Sequence, residues 1–579
     1  MDEQKRLILA IVLSMVVLLG YQMLFTEPPV PVEPQPQNQT QQQDTAQPGG
    51  GTPTQPPAET GRVVAPVAPI PVEPPRKDFR TIRVSTPLYN VAISEKGAVF
   101  KSIELKDYNE TNAADSPLKQ LLSDRLTRGT LALDLEGQSI QGLKDAVYTA
   151  KVDTDETFIN QGEKTIEFTW ATAQGYLVKK IYTFKADSYV IDCDIYIQNS
   201  TNAALNDAIV ISIPGIYDEE VRSRSRFAFE GPVLFVNGEF TDVDPDDIKI
   251  TEKDRKKESK VQEKIQNSHF SGQISWAGYT DRYFMTAILP RVDAGQTSAH
   301  GQVKLSYVGD IVSTDYIRKM DRLDPGTSRT VGFKFFMGPK SHEILTGYGN
   351  NLDKIVNFGF FNIIAKPLLL AMNIIHGVIP NYGVAILLLT VLIKLVFWPL
   401  GTKSYKSMNQ MKKVQPLMME IREKYKDDKQ RMNQEIMGLY KTYKVNPLGG
   451  CLPLLVQMPI FFALYRMLYM AIELRHAPFF GWVTDLSAPD RLFEFGFSIP
   501  MMQEPYGIPM LTIIMGASFL LQQKMAPAGG DPMQQKIMML MPIIMTVIFI
   551  NFPSGLVLYM FANNIISIGQ QYYTQKKYS

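Results

Sequence analysis

The sequence has few of the residues that build disulfide scaffolds and metal centres. Only two of its 579 residues are cysteines, Cys193 and Cys451, and its five histidines lie far apart without an HExxH pair. This pattern argues against a disulfide framework and against a metalloenzyme. The formal net charge is only +1, so the composition gives no sign of a nucleic-acid-binding surface. We therefore expect no metal, no cofactor and no sequence-specific nucleic acid partner.

What the chain does have is long apolar runs, and the first lies at its N-terminus. Residues Leu7 to Phe25 carry no formal charge, and nineteen helical residues at about 1.5 Å each nearly match a ~30 Å hydrocarbon core. A cleavable signal would have a shorter apolar run followed by small residues, whereas Glu27 and two prolines follow here. We predict an uncleaved signal anchor over residues 1–25. The Pro- and Gln-rich residues 26–77 predict a disordered linker.

A different pattern begins near residue 78. Apolar residues alternate with polar ones, as in Tyr89, Val91 and Ile93, and clusters of turn-forming residues separate many such runs. Alternation with a period of two is typical of strands with one buried face. We predict one large all-β domain, an antiparallel sheet sandwich, over residues 78–340. Its mixed charge run at residues 253–264 is more typical of a solvated face than of a binding patch.

The remaining residues are helical and apolar. Residues 341–380 mix apolar residues with Lys354, Lys366 and Pro367, which favours an amphipathic helix lying in the membrane interface. We predict five further transmembrane (TM) helices: TM2 at 381–402, TM3 at 447–472, TM4 at 508–524, TM5 at 537–552 and TM6 at 553–575. The apolar run Ile508 to Leu521 would cover only ~21 Å. We therefore expect the last three crossings to be short and the bilayer to be thinned locally.

The segments between these crossings differ in charge. Residues Lys403 to Lys444 contain eleven basic and five acidic residues, whereas Arg475 and Arg491 are the only basic residues of the loop 473–507. The positive-inside rule predicts that a hairpin over 403–446 is cytoplasmic and that the loop 473–507 is outside. Residues 525–536 and the tail 576–579 then lie inside. With six crossings, both termini are cytoplasmic and the β domain is outside.

The cytoplasmic hairpin has its own pattern. Met408, Met411, Val414 and Met418 recur at helical spacing on its first half, and a basic pair, Lys412 and Lys413, lies among them. This predicts two antiparallel helices with an apolar seam. Two interpretations remain open: a coiled coil that satisfies itself, or an arm that docks an unfolded chain, a ribosome or lipid headgroups.

A charged residue of the second predicted crossing needs an explanation. Lys394 sits in the inner half of TM2, where an unpaired ammonium costs about 2.5–3.5 kcal/mol at the bilayer centre. The side chain could extend its ammonium group to the membrane interface while its aliphatic part stays in lipid. Gln457, Asn563 and Asn564 also lie in the crossings, and a bundle that tolerates such groups is expected to enclose a hydrated space. The sequence thus predicts a polar cavity that includes Lys394.

Two long stretches carry a resemblance to a known family. They are DDKQRMNQEIMGLYKTYKVNPLGGCLPLLVQMPIFFALYRML and DPMQQKIMMLMPIIMTVIFINFPSGLVLYMFANN. Both resemble signature stretches of the YidC/Oxa1/Alb3 membrane protein insertases. The N-terminal anchor, linker and large β domain are similar to the long Gram-negative YidC form. The resemblance implies a multi-domain fold: a polytopic α-helical bundle of six TM helices with a five-helix insertase core, and a periplasmic all-β supersandwich.

The resemblance also implies a site and partners. In the family, a hydrophilic groove is open to the cytoplasm and to lipid, and a basic residue of the second crossing lies in it. The matching position here is Lys394, where the family usually has arginine. Groove positions carry over to Thr390, Tyr559 and Met560, to which we add Gln457. The implied partners are nascent membrane proteins, the ribosome, the Sec translocon, the targeting (signal-recognition-particle) receptor and membrane lipids.

The mechanism we expect is physical and involves no bond making. A wet groove lowers the desolvation cost of the polar flank of an incoming segment, and Lys394 attracts acidic groups in that flank. The segment then moves sideways into lipid as its apolar surface is buried. Two alternatives stay open: an ion-coupled transporter that uses Lys394 as a coupling charge, and a membrane-anchored periplasmic glycan-binding protein that uses the β domain.

Overall fold

The structure, a computed structural model, describes residues 79–218, 228–292, 299–443, 445, 452–525 and 532–578. All of these residues belong to one compact unit, Val64–Ser579. The predicted signal anchor, the predicted linker and Cys451 lie outside the described residues.

The N-terminal half of the described chain is a β domain. Its strands are β1 Thr81–Ser85, β2 Tyr89–Ser94, β3 Val99–Asn109, β4 Leu118–Gln120, β5 Ala132–Leu135, β6 Thr149–Lys151, β7 Glu156–Phe158, β8 Glu163–Ala171, β9 Tyr176–Lys185, β10 Val190–Asn199, β11 Ala208–Ile216, β12 Gly231–Val236, β13 Glu239–Asp242, β14 His269–Thr280, β15 Phe284–Pro290, β16 His300–Val308, β17 Ile311–Lys319 and β18 Thr327–Pro339. Three short helices, α1 Pro245–Ile248, α2 Glu252–Arg255 and α3 Glu258–Asn267, lie between β13 and β14. The charge run at residues 253–264 therefore falls largely on exposed helices.

Two sheets form this domain. One has five strands in the order β4-β3-β2-β1-β7, and the other has thirteen, in the order β5-β11-β17-β16-β14-β15-β18-β10-β9-β8-β6, with β12 and β13 attached through β14. Aromatic contacts join the layers: Phe100 of β3 meets the Tyr182 ring of β9 with 5.1 Å between the ring centroids. The predicted large β-sheet domain is confirmed. One pair, β1 with β7, is parallel.

Alternating burial explains the strands. On β9, every second residue from Tyr176 to Phe184 is buried and the intervening ones are partly exposed. Lys180 occupies one of these buried positions. Its ammonium donates to the carbonyl oxygens of Gly97 and Ala98 at 3.2 and 2.8 Å and to that of Leu131 at 2.8 Å. Burial lowers the pKa of Lys180 to about 8, and the three carbonyls stabilise its charge and tie β9 to neighbouring segments.

The C-terminal half is helical. Its helices are α4 His342–Tyr348, α5 Asn362–Val378, α6 Tyr382–Lys424, α7 Lys429–Thr442, α8 Leu452–Met470, α9 Met510–Met525, α10 Pro532–Phe549 and α11 Ser554–Tyr578. A two-stranded hairpin, β19 Leu492–Phe495 and β20 Tyr506–Ile508, lies in the loop between α8 and α9. Single 3-10 turns occur at Leu143–Asp145, Leu352–Ile355, Gly359–Phe361 and Ile472–Leu474.

Helix lengths differ from the sequence expectations in two places. Helix α6 runs without a break for 43 residues, so the predicted TM2 and the first half of the hairpin are one helix. Helix α11 has 25 residues, or ~37 Å, so it extends well beyond the short apolar run Leu556 to Ile568 on which the expected last crossing rests. Helices α9 and α10 have 16 and 18 residues. Within the described residues, two helical segments are long and apolar enough to cross a membrane, Gly359–Val378 and Tyr382–Lys424, and Met539–Phe549 is a shorter apolar one.

Helix ends next to the β domain are fixed by hydrogen bonds. Arg282, in the β14–β15 turn, donates to the carbonyl of Tyr469 at the end of α8, with 2.8 Å between Nε and O. Asn112, beyond β3, donates to the Thr484 carbonyl at 2.9 Å. The start of α11 is held in the same loop, where Ser554 Oγ donates to the Asp485 carbonyl at 2.6 Å. The end of α8 and the start of α11 therefore lie on the β-domain side.

The opposite helix ends also meet. Lys412 of α6 donates from Nζ to the carbonyl of Met525, the last residue of α9, at 3.1 Å. Gln575, near the end of α11, donates to the same carbonyl at 3.2 Å. Helices α9 and α11 therefore end on the side away from the β domain, where the α6–α7 hairpin projects. Taken in chain order, helices α8 to α11 alternate in direction, whereas α6 runs parallel to α11.

Candidate functional site

The candidate site is built around a lysine on α6 that faces α11. Lys394 Nζ donates to Ser567 Oγ at 2.7 Å, and Ser567 Oγ in turn donates to the Asn563 carbonyl at 2.6 Å. The Lys394 side chain is half-buried. Within the described residues it has no carboxylate partner, so its charge is held by a hydroxyl group alone. The ammonium is therefore directed to a neighbouring helix.

Two adjacent asparagines of α11 join two further helices to this arrangement. Gln457 of α8 donates from Nε2 to Asn563 Oδ1 at 2.7 Å. Asn564, which is buried, donates from Nδ2 to Ser518 Oγ of α9 at 3.0 Å. Because consecutive helical residues point about 100° apart, one pair of asparagines contacts helices on two sides of α11.

The polar contacts continue along α11 away from the β domain. Gln570 donates from Nε2 to the Trp398 carbonyl of α6 at 2.8 Å and to Thr402 Oγ1 at 3.3 Å. A Cβ on Gly401 would lie 2.8 Å from Gln570 Nε2, so glycine permits this close approach. We call the whole set the polar seam: Lys394, Gln457, Ser518, Asn563, Asn564, Ser567 and Gln570. Lys394 is its only charged member.

The other predicted groove residues lie close to the seam but are covered. Thr390 is 1% exposed and donates to the Ile386 carbonyl of its own helix at 2.7 Å. Tyr559 is also 1% exposed, and its hydroxyl makes no hydrogen bond within the described residues, although Gln457 approaches it. Met560 is half-buried at the edge of the core. A chain that touches Thr390 or Tyr559 therefore requires the helices to part.

Sequence reasoning missed Ser518, Ser567 and Gln570. The last two belong to a row of polar residues on α11, Asn563, Ser567, Gln570 and Thr574, spaced by four, three and four. This spacing places them on one face of a helix, so the polar row can be recognised from the sequence alone. Thr574 and the neighbouring Gln571 are buried, and each has a polar side-chain atom with no hydrogen-bond partner in the described part of the chain.

The predicted docking hairpin is formed by the end of α6 and by α7. Met418 is buried and accepts a contact from the Tyr440 hydroxyl at 3.2 Å, and Val414 is buried beside it. Met408 and Met411 are only half-buried. Lys412 is engaged with α9, whereas Lys413 is exposed. Met418 thus lies in the apolar contact between the two helices of the hairpin, whereas Lys413 lies on the exposed face of the hairpin.

A loop on the β-domain side closes the helix ends. The buried carboxylate of Asp490 accepts from the Leu511 amide at 2.7 Å and from Thr512 Oγ1 at 3.0 Å, which caps the N-terminus of α9. Arg491 donates from Nη1 to the Ile550 carbonyl, just beyond α10, at 2.9 Å. The loop therefore binds the ends of α9 and α10 together.

Two family models match the chain. The model described as "60Kd inner membrane protein" matches residues 374–579, and the model described as "YidC periplasmic domain" matches residues 81–371. Curated relatives named "Membrane protein insertase YidC" match nearly the whole length. The one from Pelobacter propionicus is 38% identical over 580 residues, and the one from Syntrophus aciditrophicus is 38% identical over 581 residues; each match covers 99% of both chains.

A solved structure is also similar. It is titled "Active YidC insertase crystal structure with the first transmembrane domain resolved", and the match covers 88% of this chain and 95% of that one, at 20% identity and a TM-score of 0.36.

Proposed function

Because this chain belongs to the YidC family of membrane protein insertases, we propose that its polar seam receives the polar flank of an incoming membrane segment. The family matches confirm the resemblance carried by the signature stretches. The protein is an insertase of the inner membrane with a periplasmic domain, it is not an enzyme, and its substrates are nascent membrane proteins. The proposal concerns which residues do this work and how.

The first step of the proposal is electrostatic. Lys394 is the only charge of the seam and is bound to a hydroxyl group, not to a carboxylate. Its ammonium can therefore attract an acidic group of the substrate flank without first breaking an ion pair. A lysine offers a point charge and lacks the planar fork of arginine, so the attraction does not depend on bidentate geometry.

The second step concerns hydrogen bonds. The peptide groups of a polar flank need partners while they cross the apolar layer. Gln457, Asn563 and Asn564 provide amide groups on α8 and α11, and the Tyr559 hydroxyl, which Gln457 approaches, is buried beside them. These groups would replace part of the water that the flank loses.

The third step is opening and release. Thr390 and Tyr559 are covered, so entry of a segment requires α6 and α11 to separate. The polar contacts that must break are chiefly Lys394 with Ser567 and Gln570 with Trp398. The apolar part of the segment then moves into lipid, which stabilises it by roughly 25 cal/mol per Å² buried.

The membrane topology of the proposal has six crossings with both termini in the cytoplasm. Helices α6, α8, α9, α10 and α11 supply five, and the predicted anchor at residues 1–25 supplies the sixth. The alternating helix directions support this arrangement, as does the contact of the α8–α9 loop with the periplasmic domain. The hairpin of α6 and α7 would then lie in the cytoplasm.

The cytoplasmic hairpin is the proposed docking arm. Its exposed basic residue Lys413 and exposed apolar side chains such as Met419 suit a ribosome, a nascent chain, the targeting receptor or the Sec translocon. The contact of Lys412 with the end of α9 would couple the arm to the bundle.

Site-specific photocrosslinking tests the groove. A crosslinker at Thr390, Lys394 or Tyr559 should capture a stalled single-span nascent chain, because these positions face the proposed path. Leu395 is the matched control, since it follows Lys394 on α6 and is exposed on another face. Capture at Leu395 with none at Thr390, Lys394 and Tyr559 would show that the path is wrong.

A further inference from the structure

The loop between α8 and α9 carries exposed aromatic residues. We call residues 492–508, which comprise β19, β20 and their connection, the aromatic hairpin. Phe493 is 70% exposed, Phe497 is 65% exposed and Met501 is 76% exposed. Phe497 stacks on Phe495 with 5.4 Å between the ring centroids and an interplanar angle of 3°. Exposed apolar groups gathered in one short loop mark an interaction surface.

The backbone directs one of these residues outward. Leu492 pairs with Ile508 and Glu494 pairs with Gly507, so Phe493 is an extra residue in a β-bulge. Its φ is +56°, in the left-handed region that costs free energy for a bulky residue. Bulges of this kind re-aim a side chain. Binding of the exposed Phe493 ring to a partner would offset the free-energy cost of this strained backbone.

The hairpin is held at the level of the helix ends. The connection between its strands is tied to Asn551, between α10 and α11, which donates from Nδ2 to the Met501 carbonyl at 2.8 Å and accepts from the Gln503 amide at 2.9 Å. Strand β20 ends at Ile508, and α9 begins two residues later at Met510. The hairpin is therefore level with the ends of α9 and α10 on the periplasmic-domain side.

Exposed apolar residues also occur on these helices near the same ends. Ile513 of α9 and Ile548 of α10 are 47% and 48% exposed. In an inner-membrane protein, exposed apolar residues of the helices face lipid, and aromatic residues favour the boundary between lipid and water. We infer that the aromatic hairpin is an anchor whose phenylalanines are immersed in the periplasmic leaflet of the bilayer.

The charges indicate how lipid would be bound. Glu494 and Glu504 are exposed on the hairpin, while the Arg491 guanidinium is occupied by the carbonyls of Pro505 and Ile550 at 2.7 and 2.9 Å. The described residues of the hairpin therefore offer no free cationic side chain that could bind a lipid phosphate. Binding therefore depends on burial of the rings and requires no anionic lipid.

Spin-label accessibility tests the inference on the full chain in phosphatidylcholine liposomes, with Cys451→Ser as the background. Cys193 can stay, because its thiol is buried and burial raises its pKa to about 12, which leaves it unreactive. Single cysteines then carry the label, and collisions with oxygen report lipid while collisions with a nickel chelate report water.

The expected result is a contrast within the hairpin. Labels at Phe493→Cys and Phe497→Cys should have a ratio of oxygen to nickel collision rates several-fold higher than a label at Ser328→Cys. Ser328 is an exposed residue near the start of β18. Glu494→Cys should resemble Ser328→Cys, and lipid-exposed Leu395→Cys gives the upper limit. Adding phosphatidylglycerol should leave the ratios unchanged.

Three results would overturn the inference. One is a ratio at position 493 or 497 as low as that at position 328. Another is protection of either label from both reagents, which would mean that protein covers the rings. The third is a high ratio that appears only when anionic lipid is present.

Discussion

Lys394 on α6 and Ser567 on α11 are joined by a hydrogen bond of 2.7 Å, although 173 residues separate them in the chain. This bond directs the one charge of the polar seam toward a neighbouring helix. It also defines the position of the ammonium that a substrate would meet.

The first prediction concerns that charge. Lys394→Ala should slow insertion of a single-span substrate with an acidic periplasmic tail roughly ten- to hundredfold, because hydrogen bonds to charged groups contribute about 1.5–3 kcal/mol. A substrate with a neutral tail should be affected less. Protease protection of the inserted tail in proteoliposomes measures both rates.

Two variants control this experiment. Lys394→Arg keeps the charge and should retain most of the activity, and Lys403→Ala removes an exposed charge from the same helix and should have little effect. Equal loss for acidic and neutral tails would remove the electrostatic part of the mechanism.

The second prediction concerns the cap of α9. Asp490→Ala leaves the Leu511 amide and the Thr512 hydroxyl without their acceptor in a buried place. Loss of a helix cap costs about 0.5–2 kcal/mol, so the full chain in detergent should unfold at a lower temperature. Glu494→Ala, an exposed carboxylate in the same loop, should unfold as the parent does. An unchanged unfolding temperature for Asp490→Ala would contradict the capping role.

The third prediction concerns close packing of α9 on α10. A Cβ at Gly516 would lie 2.2 Å from Thr546 Oγ1, so Gly516→Ala forces the helices apart and should destabilise the bundle by about 1–3 kcal/mol. Adding Thr546→Ala removes the obstructing atoms and should restore much of the loss. Gly569→Ala is the control, since nothing lies within 4 Å of its Cβ. Thermal unfolding in detergent compares the variants, and failure of the second substitution to rescue would refute the contact.

The β domain was predictable because its signal is local. Tyr89, Val91 and Ile93 are all buried on β2, as alternation with a period of two requires. Which strands pair was not predictable, since pairing joins distant parts of the chain. The parallel strands β1 and β7 are preceded by Arg80 and Asp155, which are 75 residues apart in the chain and share an ion pair of 3.1 Å.

The helical half shows where local signals fail. The basic residues after Leu400 suggested an end of the crossing, yet α6 continues through Pro399 and Pro416. A proline removes one helical hydrogen bond, and the burial of Val414 and Met418, with the contact of Met418 to Tyr440 of α7, offsets that cost. Likewise, the position of Lys394 was visible in the sequence, but snorkelling and burial could not be separated without the location of Ser567.

The fourth prediction concerns the buried lysine of the β domain. Lys180→Met keeps the length of the side chain but removes the donor shared by the carbonyls of Gly97, Ala98 and Leu131, of which only Ala98 still accepts from the Tyr182 hydroxyl, at 2.8 Å. A buried acceptor without a partner costs about 1–3 kcal/mol, so the domain should lose at least that much stability. Lys164→Met, at an exposed position near the start of β8, is the control. Chemical unfolding followed by tryptophan fluorescence measures both, and equal midpoints would contradict the structural role of Lys180.

The fifth prediction concerns pH and Glu230, next to β12. Burial, together with the nearby carboxylates of Asp281 and Asp218, raises the pKa of Glu230 from 4.5 to about 7. The folded state therefore binds more protons than the unfolded state between these values, so stability falls as the pH rises through this window. Glu230→Gln removes the ionisation, and its unfolding temperature relative to the parent should be higher at pH 8 than at pH 5. Exposed Glu163→Gln should show no such difference. A Glu230→Gln effect of the same size at both pH values would mean that the carboxyl group is already ionised throughout the range and that the periplasmic domain does not oppose its charge.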